Sequence, residues 1–181
     1  MVDVVPEAPL EQAVNGKRPA GDGWFVLNVR DACWFENDRF GTYGVFESEE
    51  VRFDRVGIGI GILHPGQPNG MYHGEDAQED FLVLSGECLL IVEGEERRLR
   101  AWDFVHCPPW TEHIFVGAGD GPCVVIGVGA RREGRGIRYP VNATALAHGA
   151  GVEAETTTPA EAYAPFPEDR PIPCPDELPR W

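Results

Sequence analysis

Basic residues are scarce in this chain of 181: 15 Lys and Arg face 30 Asp and Glu, for a net charge of -15. That balance disfavours a nucleic-acid partner, because gripping a phosphate backbone relies on clustered Lys and Arg. Two small clusters, Arg97, Arg98 and Arg100, and Arg131, Arg132, Arg135 and Arg138, read as solvated strand edges paired with the many carboxylates. Cysteine is sparing too. The five at 33, 88, 107, 123 and 174 form no CxxC pair and no dense framework. They read as reduced thiols, which sets the expected location as cytoplasmic. No run approaches the roughly 20 apolar residues of a membrane-spanning helix. The opening MVDVVPEAPLEQAV has no basic start followed by an apolar run, so no secretory leader is expected. GIGIG at 57–61 lacks the GxGxxG spacing and opens no helix, so it is not a nucleotide loop.

What the chain does have is short strands. An apolar fraction of 43% and this length suit one domain with a real core. VRFDRVGIGIGIL, Val51 to Leu63, alternates with period two: Ile58, Ile60 and Ile62 on one face, Gly57, Gly59 and Gly61 on the other. Interior glycines mark close approach by a backbone or a ligand, and plain close packing is the expectation here. WFVLNVR from Trp24, DACWF and GTYGVFES read as further strands around the turn ENDRFG. EDFLVLS and CLLIV form an expected hairpin about Gly86, with EERRLR following across Gly94. DFVHC, the Pro108-Pro109 turn, EHIFV, GAGDG and CVVIGVG continue the rhythm. Strands at such intervals make an all-β antiparallel sandwich or barrel.

The ends differ from the middle. Residues 1–23 are polar and rich in Pro and Gly, and read as a flexible arm. Residues 24–140 form the expected barrel, and 141–181 an extension. In that extension Asn142 is expected to cap a short helix closed by Gly149. Thr158, Pro159 and Glu161 fit a capping box for a second helix. The Pro-studded remainder is a disordered tail or an extended strap, and Phe166, Ile172 and Trp181 favour the strap.

The stretch His64–Val116 concentrates metal-capable side chains. His73 and Glu75 are two apart, hence on one face of an extended backbone; Glu79 opens a strand, and His113 follows PPWTE. This pattern resembles the cupin superfamily. His73, Glu79 and Gly86 fall on its first motif with the spacing kept, and Pro108 and His113 on its second; the motif core is 64–117. Departures from the family pattern are informative. Glu75 stands where a second His is expected, Trp102 and Trp110 replace glycines, and Gly117 replaces an Asn. The resemblance implies a double-stranded β-helix, or jelly roll, and a homodimer in which residues 24–35 meet a second subunit.

It also implies a metal on His73, Glu79 and His113. Two imidazoles and a carboxylate make a facial triad suited to one divalent transition metal, with Fe, Mn or Ni ahead of Zn. Glu75 is a fourth ligand, an acid or base beside the metal, or solvent-facing; Glu75 and Glu79 are the candidate catalytic carboxylates. By strand parity Phe81 and Val83, and on the second strand Phe115, are expected as pocket wall. His64 and His148 read as surface residues, and either His106 or Cys107, not both, faces inward. A Cys107–His113 nucleophilic pair is the weaker reading beside an inert buried thiol. The expected function is metal-dependent action on a small organic molecule, first a dioxygenase. The alternatives are a metal-assisted isomerase, decarboxylase or lyase of a sugar or keto acid, and a non-catalytic binding module.

Overall fold

A computed structural model describes residues 4–132, 134 and 136–178. Its strands are β1 (Leu10–Ala13), β2 (Gly16–Pro19), β3 (Cys33–Asn37), β4 (Gly41–Val45), β5 (Val56–Leu63), β6 (Gly74–Glu75) and β7 (Glu79–Ser85). Next come β8 (Glu87–Val92), β9 (Glu95–Arg100), β10 (Phe104–Cys107), β11 (His113–Ala118), β12 (Cys123–Ala130) and β13 (Ile137–Arg138). Two short helices, α1 (Ala143–Ala147) and α2 (Pro159–Ala162), precede β14 (Arg170–Ile172). A large sheet in the order β10-β7-β12-β5-β4-β3-β14 faces a small one, β11-β8-β9. Every pairing between these strands is antiparallel.

Alternation along the strands builds the interior. Leu63, Val83, Cys123 and Val125 from the large sheet meet Cys88, Leu90 and Phe115 from the small one in a single buried cluster. The opposite face of β5 carries Ile60 and Ile62, which pack with Trp34 and Val124 in a second cluster. Each strand therefore buries both faces in part, which is why its apolar residues are not confined to one parity.

Several expectations are corrected. Residues 10–19 form the hairpin β1–β2, with Arg18 paired to Glu11 at 2.6 Å, where a loose arm is expected. Trp24–Arg30 is not a strand. Trp24 makes one bridge to Glu7, and Asn28 caps a 3-10 turn over Val29–Asp31 by accepting from the Arg30 amide at 2.9 Å. The strand begins instead at Cys33. β7 and β8 do not pair either. β7 lies between β10 and β12, β8 between β11 and β9, and Gly86 is where the chain crosses from one sheet to the other. Its φ is +73°, and a side chain there would run into the Pro122 carbonyl, so glycine is required. The β8–β9 hairpin about Gly94 forms as expected.

In the extension, the Asn142 side chain accepts from the Ala145 amide at 3.0 Å, and Gly149 closes α1 with φ +65°. Thr158 gives no side-chain cap to α2. The Glu161 amide donates instead to the Thr158 carbonyl at 3.0 Å, while Thr156 accepts from the Thr158 amide and donates to the Glu161 carboxylate. The tail is a strap on its own barrel: β14 adds to the edge of the large sheet beside β3, and the Phe166 ring packs edge-on against Phe40. Trp181 and Arg135 lie outside the described residues. Among the described residues, no helix is long and apolar enough to cross a membrane.

Candidate metal centre

His73 arrives on an isolated bridge rather than a long strand. Its carbonyl accepts from the His113 amide at 2.8 Å, and its amide donates to the His113 carbonyl at 3.3 Å. This pairing puts the imidazoles side by side, ring centroids 5.3 Å apart. Each ring is anchored by its own backbone. His73 Nδ1 donates to the Met71 carbonyl at 2.8 Å, and His113 Nδ1 to the Thr111 carbonyl at 3.0 Å. A carbonyl only accepts, so each Nδ1 carries the hydrogen and each Nε2 the lone pair. Those two Nε2 atoms lie 3.9 Å and 3.5 Å from Oε2 of Glu79.

Glu79 reaches this point because it opens β7 opposite Gly129 of β12. A Cβ on Gly129 would stand 3.6 Å from the Glu79 carboxylate. The three donor atoms lie within 4.8 Å of one another. Atoms bound about 2.1 Å from one ion stand roughly 3 Å apart at right angles, so small side-chain rotations would close this set on a cation. Electrostatics agree with the geometry. His113 is only 3% exposed, and burial lowers its pKa, keeping the ring neutral and able to ligate. Phe81, its ring 5.2 Å from His113 and 4.7 Å from Phe115, holds the imidazole from the inner side.

Glu75 is buried but lies outside the converging group. Its segment, β6, turns from β11 to pair with β13, and its carbonyl accepts from the Trp110 amide at 2.7 Å. The spacing of two from His73 thus does not bring this carboxylate to the other three side chains. Of the expected pocket wall, Phe81 lines the cavity described next, whereas Val83 and Phe115 sit fully buried in the packed core.

The cavity holds about 790 Å³ and has Glu79 on its wall. Its floor is the inward face of β5 and β12, with Gly57, Gly59, Gly61, Gly127 and Gly129. The expectation that the β5 glycines serve close packing holds at Gly57, where a Cβ would stand 3.2 Å from the Arg131 guanidinium, and is corrected at Gly59 and Gly61, which line the cavity with no described side chain within 4 Å of a Cβ. Other walls come from segments that strand parity alone did not nominate: Phe40 and Tyr43 near the N-terminal strands, Arg131 after β12, Tyr163 and Phe166 of the strap. The in-phase glycines of β12 were the available signal. Tyr43 donates to Asp169 at 2.6 Å, and its pKa is raised by burial and then by that carboxylate. Arg131 grips both oxygens of Glu47, at 2.6 Å and 2.7 Å.

The remaining candidates fall away from the cavity. Cys107 is buried and its thiol is pushed up to about 12, first by burial and then by the Glu79 charge, so it is no nucleophile near neutral pH. His106 is exposed and paired with Asp80 at 2.6 Å. His64 is exposed, and His148 meets Glu96 at 2.7 Å. Trp102 and Trp110 both have positive φ, +75° and +70°, and neither lines the cavity. Arg132 and Arg138 pair with Asp76 and Glu112 as solvated edge cations.

A jelly-roll barrel that gathers two imidazoles and a carboxylate from separate strands defines a class of metal-capable β proteins. Residues 59–129 match the cupin domain family. It is similar to a protein of Acidithiobacillus ferrooxidans provisionally assigned as a sugar phosphate isomerase: 26% identity, 46% of this chain and 55% of that one, TM-score 0.44. The match thus spans about half of that protein. It is also similar to a cupin-superfamily sugar phosphate isomerase of Silicibacter pomeroyi, with 22% identity, 59% and 69% coverage and TM-score 0.46. A third likeness is to the polyketide cyclase RemF of Streptomyces resistomycificus, with 14% identity, 75% and 84% coverage and TM-score 0.47. No curated protein matches the sequence.

Proposed function

We propose that this cupin is a metal-dependent enzyme for a small organic molecule, and in the first reading an oxygen-using oxidoreductase. The observation that carries the reading is the convergence of His73, Glu79 and His113 within 4.8 Å, with Glu79 on the wall of the cavity. A divalent metal held there would supply Lewis acidity and, bound on one face, open positions for substrate or oxygen. The chain's own part is positional. The carbonyls of Met71 and Thr111 hold the imidazoles in the ligating tautomer, and Phe81 keeps water from the inner side of His113.

A second reading, metal-assisted proton transfer in an isomerase, decarboxylase or lyase, draws support from Glu79, a carboxylate that lies on the cavity wall beside both imidazoles and could hold a proton there. Elemental mass spectrometry on untagged protein, with His73→Ala and His113→Ala beside it, tests the shared core. About one Fe, Mn or Ni per chain, lost in both variants, is the expected result; no metal even after reloading overturns it. Oxygen uptake that depends on added Fe(II) separates the first reading from the second.

The proposal extends to a homodimer. Trp24 and Val26 are exposed in the segment before β3, at 51% and 79%, and a second copy is a natural cover for them. A monomeric mass by sedimentation equilibrium would remove this part.

A further inference from the structure

The inner face of β5 and β12 is bare where the cavity opens. Across the ladder Gly57 meets Gly129, Gly59 meets Gly127, and Gly61 meets Val125. The rung Gly57–Gly129 continues to Glu79 of the candidate metal centre, and Gly59–Gly127 to Phe81. Interior glycines weaken strands, so five on one face of two neighbours call for a reason. Three have one nearby. A Cβ would meet the Arg131 guanidinium at 3.2 Å from Gly57, the Phe81 ring at 3.2 Å from Gly127, and the Glu79 carboxylate at 3.6 Å from Gly129.

Gly59 and Gly61 are different. The nearest atoms to a Cβ there are backbone oxygens, at 3.7 Å and 3.9 Å, and no described side chain comes within 4 Å. Protein interiors are close-packed, so a smooth floor under a cavity of about 790 Å³ is a contact surface for something other than this chain. The floor consists of peptide planes, flat on the scale of a ring. Its surround is aromatic: Phe81, Phe40 and Tyr163 all line the cavity, and Tyr163 meets Phe40 edge-on.

Three polar groups of the cavity, Tyr43, Asn37 and Arg131, are already turned on protein acceptors, and Glu79, Glu168 and Asp169 on its wall are carboxylates that repel a phosphate. Tyr43 and Asn37 donate to Asp169 at 2.6 Å and 2.8 Å, and Arg131 is held by both oxygens of Glu47 and by the Phe53 carbonyl at 2.9 Å. A phosphorylated or polyhydroxylated molecule would have to break these pairs to satisfy its own groups. An apolar ring would not.

The geometry points to a planar, largely apolar ring compound, aromatic or conjugated, lying face-on against Gly59 and Gly61 with an oxygen substituent turned towards His73, Glu79 and His113. This substrate class rests on the reading of the chain as a metal-dependent enzyme and narrows it. It sets the sugar alternative aside.

The test uses the full chain, metal-loaded, with 2-naphthol and glucose 6-phosphate as probes in equilibrium dialysis. Wild type retains 2-naphthol and not glucose 6-phosphate. Gly59→Val and Gly61→Val each weaken 2-naphthol binding by at least about tenfold, because the branched side chain occupies the ring's place. Both variants keep their metal content and do not melt below wild type, since a Cβ there meets only backbone oxygens at ordinary contact distance and the rest of the side chain enters the cavity. If valine impairs folding, Gly59→Ala and Gly61→Ala carry the test with a smaller loss. No 2-naphthol binding to wild type, binding unmoved in the glycine variants, or preferential retention of glucose 6-phosphate would each overturn the inference. His113→Ala keeps the two readings apart. Naphthol binding by a wild type that takes up no metal even after reloading sinks the metal centre and spares the slot; metal present in wild type and lost in His113→Ala, without naphthol binding, does the reverse.

Discussion

The two ends of the barrel interior are built from the same strands and filled in opposite ways. At the closed end, inward positions hold Val83, Cys88, Phe115 and Cys123, each with no exposed surface, beside Leu63 and Leu90. At the open end the inward positions of β5 and β12 hold Gly57, Gly59, Gly127 and Gly129, and the chain leaves a cavity. β7 shows the transition within one strand: Glu79 at the centre, Phe81 on the cavity wall, Val83 in the core. Fold stability is concentrated where side chains from both sheets interlock. Room for a ligand is made where side chains are withheld.

The largest expected effect is a break at the closed end. Phe115→Ala should cost about 3–5 kcal/mol in urea unfolding, the range for truncating a buried aromatic, and a cost below about 1 kcal/mol would show that this end is not the stability reservoir. Gly86→Ala comes next, with a loss of about 2 kcal/mol, since a left-handed residue there meets the Pro122 carbonyl. A melting temperature equal to wild type would mean that the crossing between sheets relaxes freely.

Alkaline pH reaches the flank of the closed end through Tyr72, whose phenol is fully buried. Burial, and then the Glu112 charge, push its pKa up to about 12. The folded state holds this proton more tightly than the unfolded state, whose value is about 10. The contribution is therefore complete below pH 10 and is lost as pH rises through about 12. Tyr72→Phe should show a shallower fall of unfolding free energy across that window; an unchanged slope would place the titration elsewhere.

The smallest effect sharpens the comparison at the open end. A Cβ at Gly61 meets only backbone oxygens, the nearer at 3.9 Å, an ordinary contact, so Gly61→Ala should stabilise the fold by about 0.4–1 kcal/mol. A destabilised variant would show that the floor is packed after all.

Much of this was readable in advance, and the failures have physical causes. The β8–β9 hairpin could be read because Gly94 joins neighbours in sequence that are also neighbours in the sheet. A β7–β8 hairpin looked equally good about Gly86, yet each strand found its partners far along the chain, in β12 and β11. Local turn chemistry does not distinguish a hairpin from a crossing between sheets. Likewise Trp24–Arg30 has strand-like residues but lacks a paired ladder, so it takes another course. Within the site, His73, Glu79 and His113 followed from residue type and motif spacing, whereas the placement of Glu75 depended on the pairing of β6 with β13.

By itself the sequence determined the β class, the alternation of faces along β5, β7, β11 and β12, and three residues able to share a metal. It did so because a period of two and the chemistry of imidazole and carboxylate are local properties. Tertiary structure alone decided the rest: the proton on each Nδ1, the strap across the cavity, and whether an inward face is filled or left bare. Period two tells which side chains share a face. Only packing decides what stands opposite it.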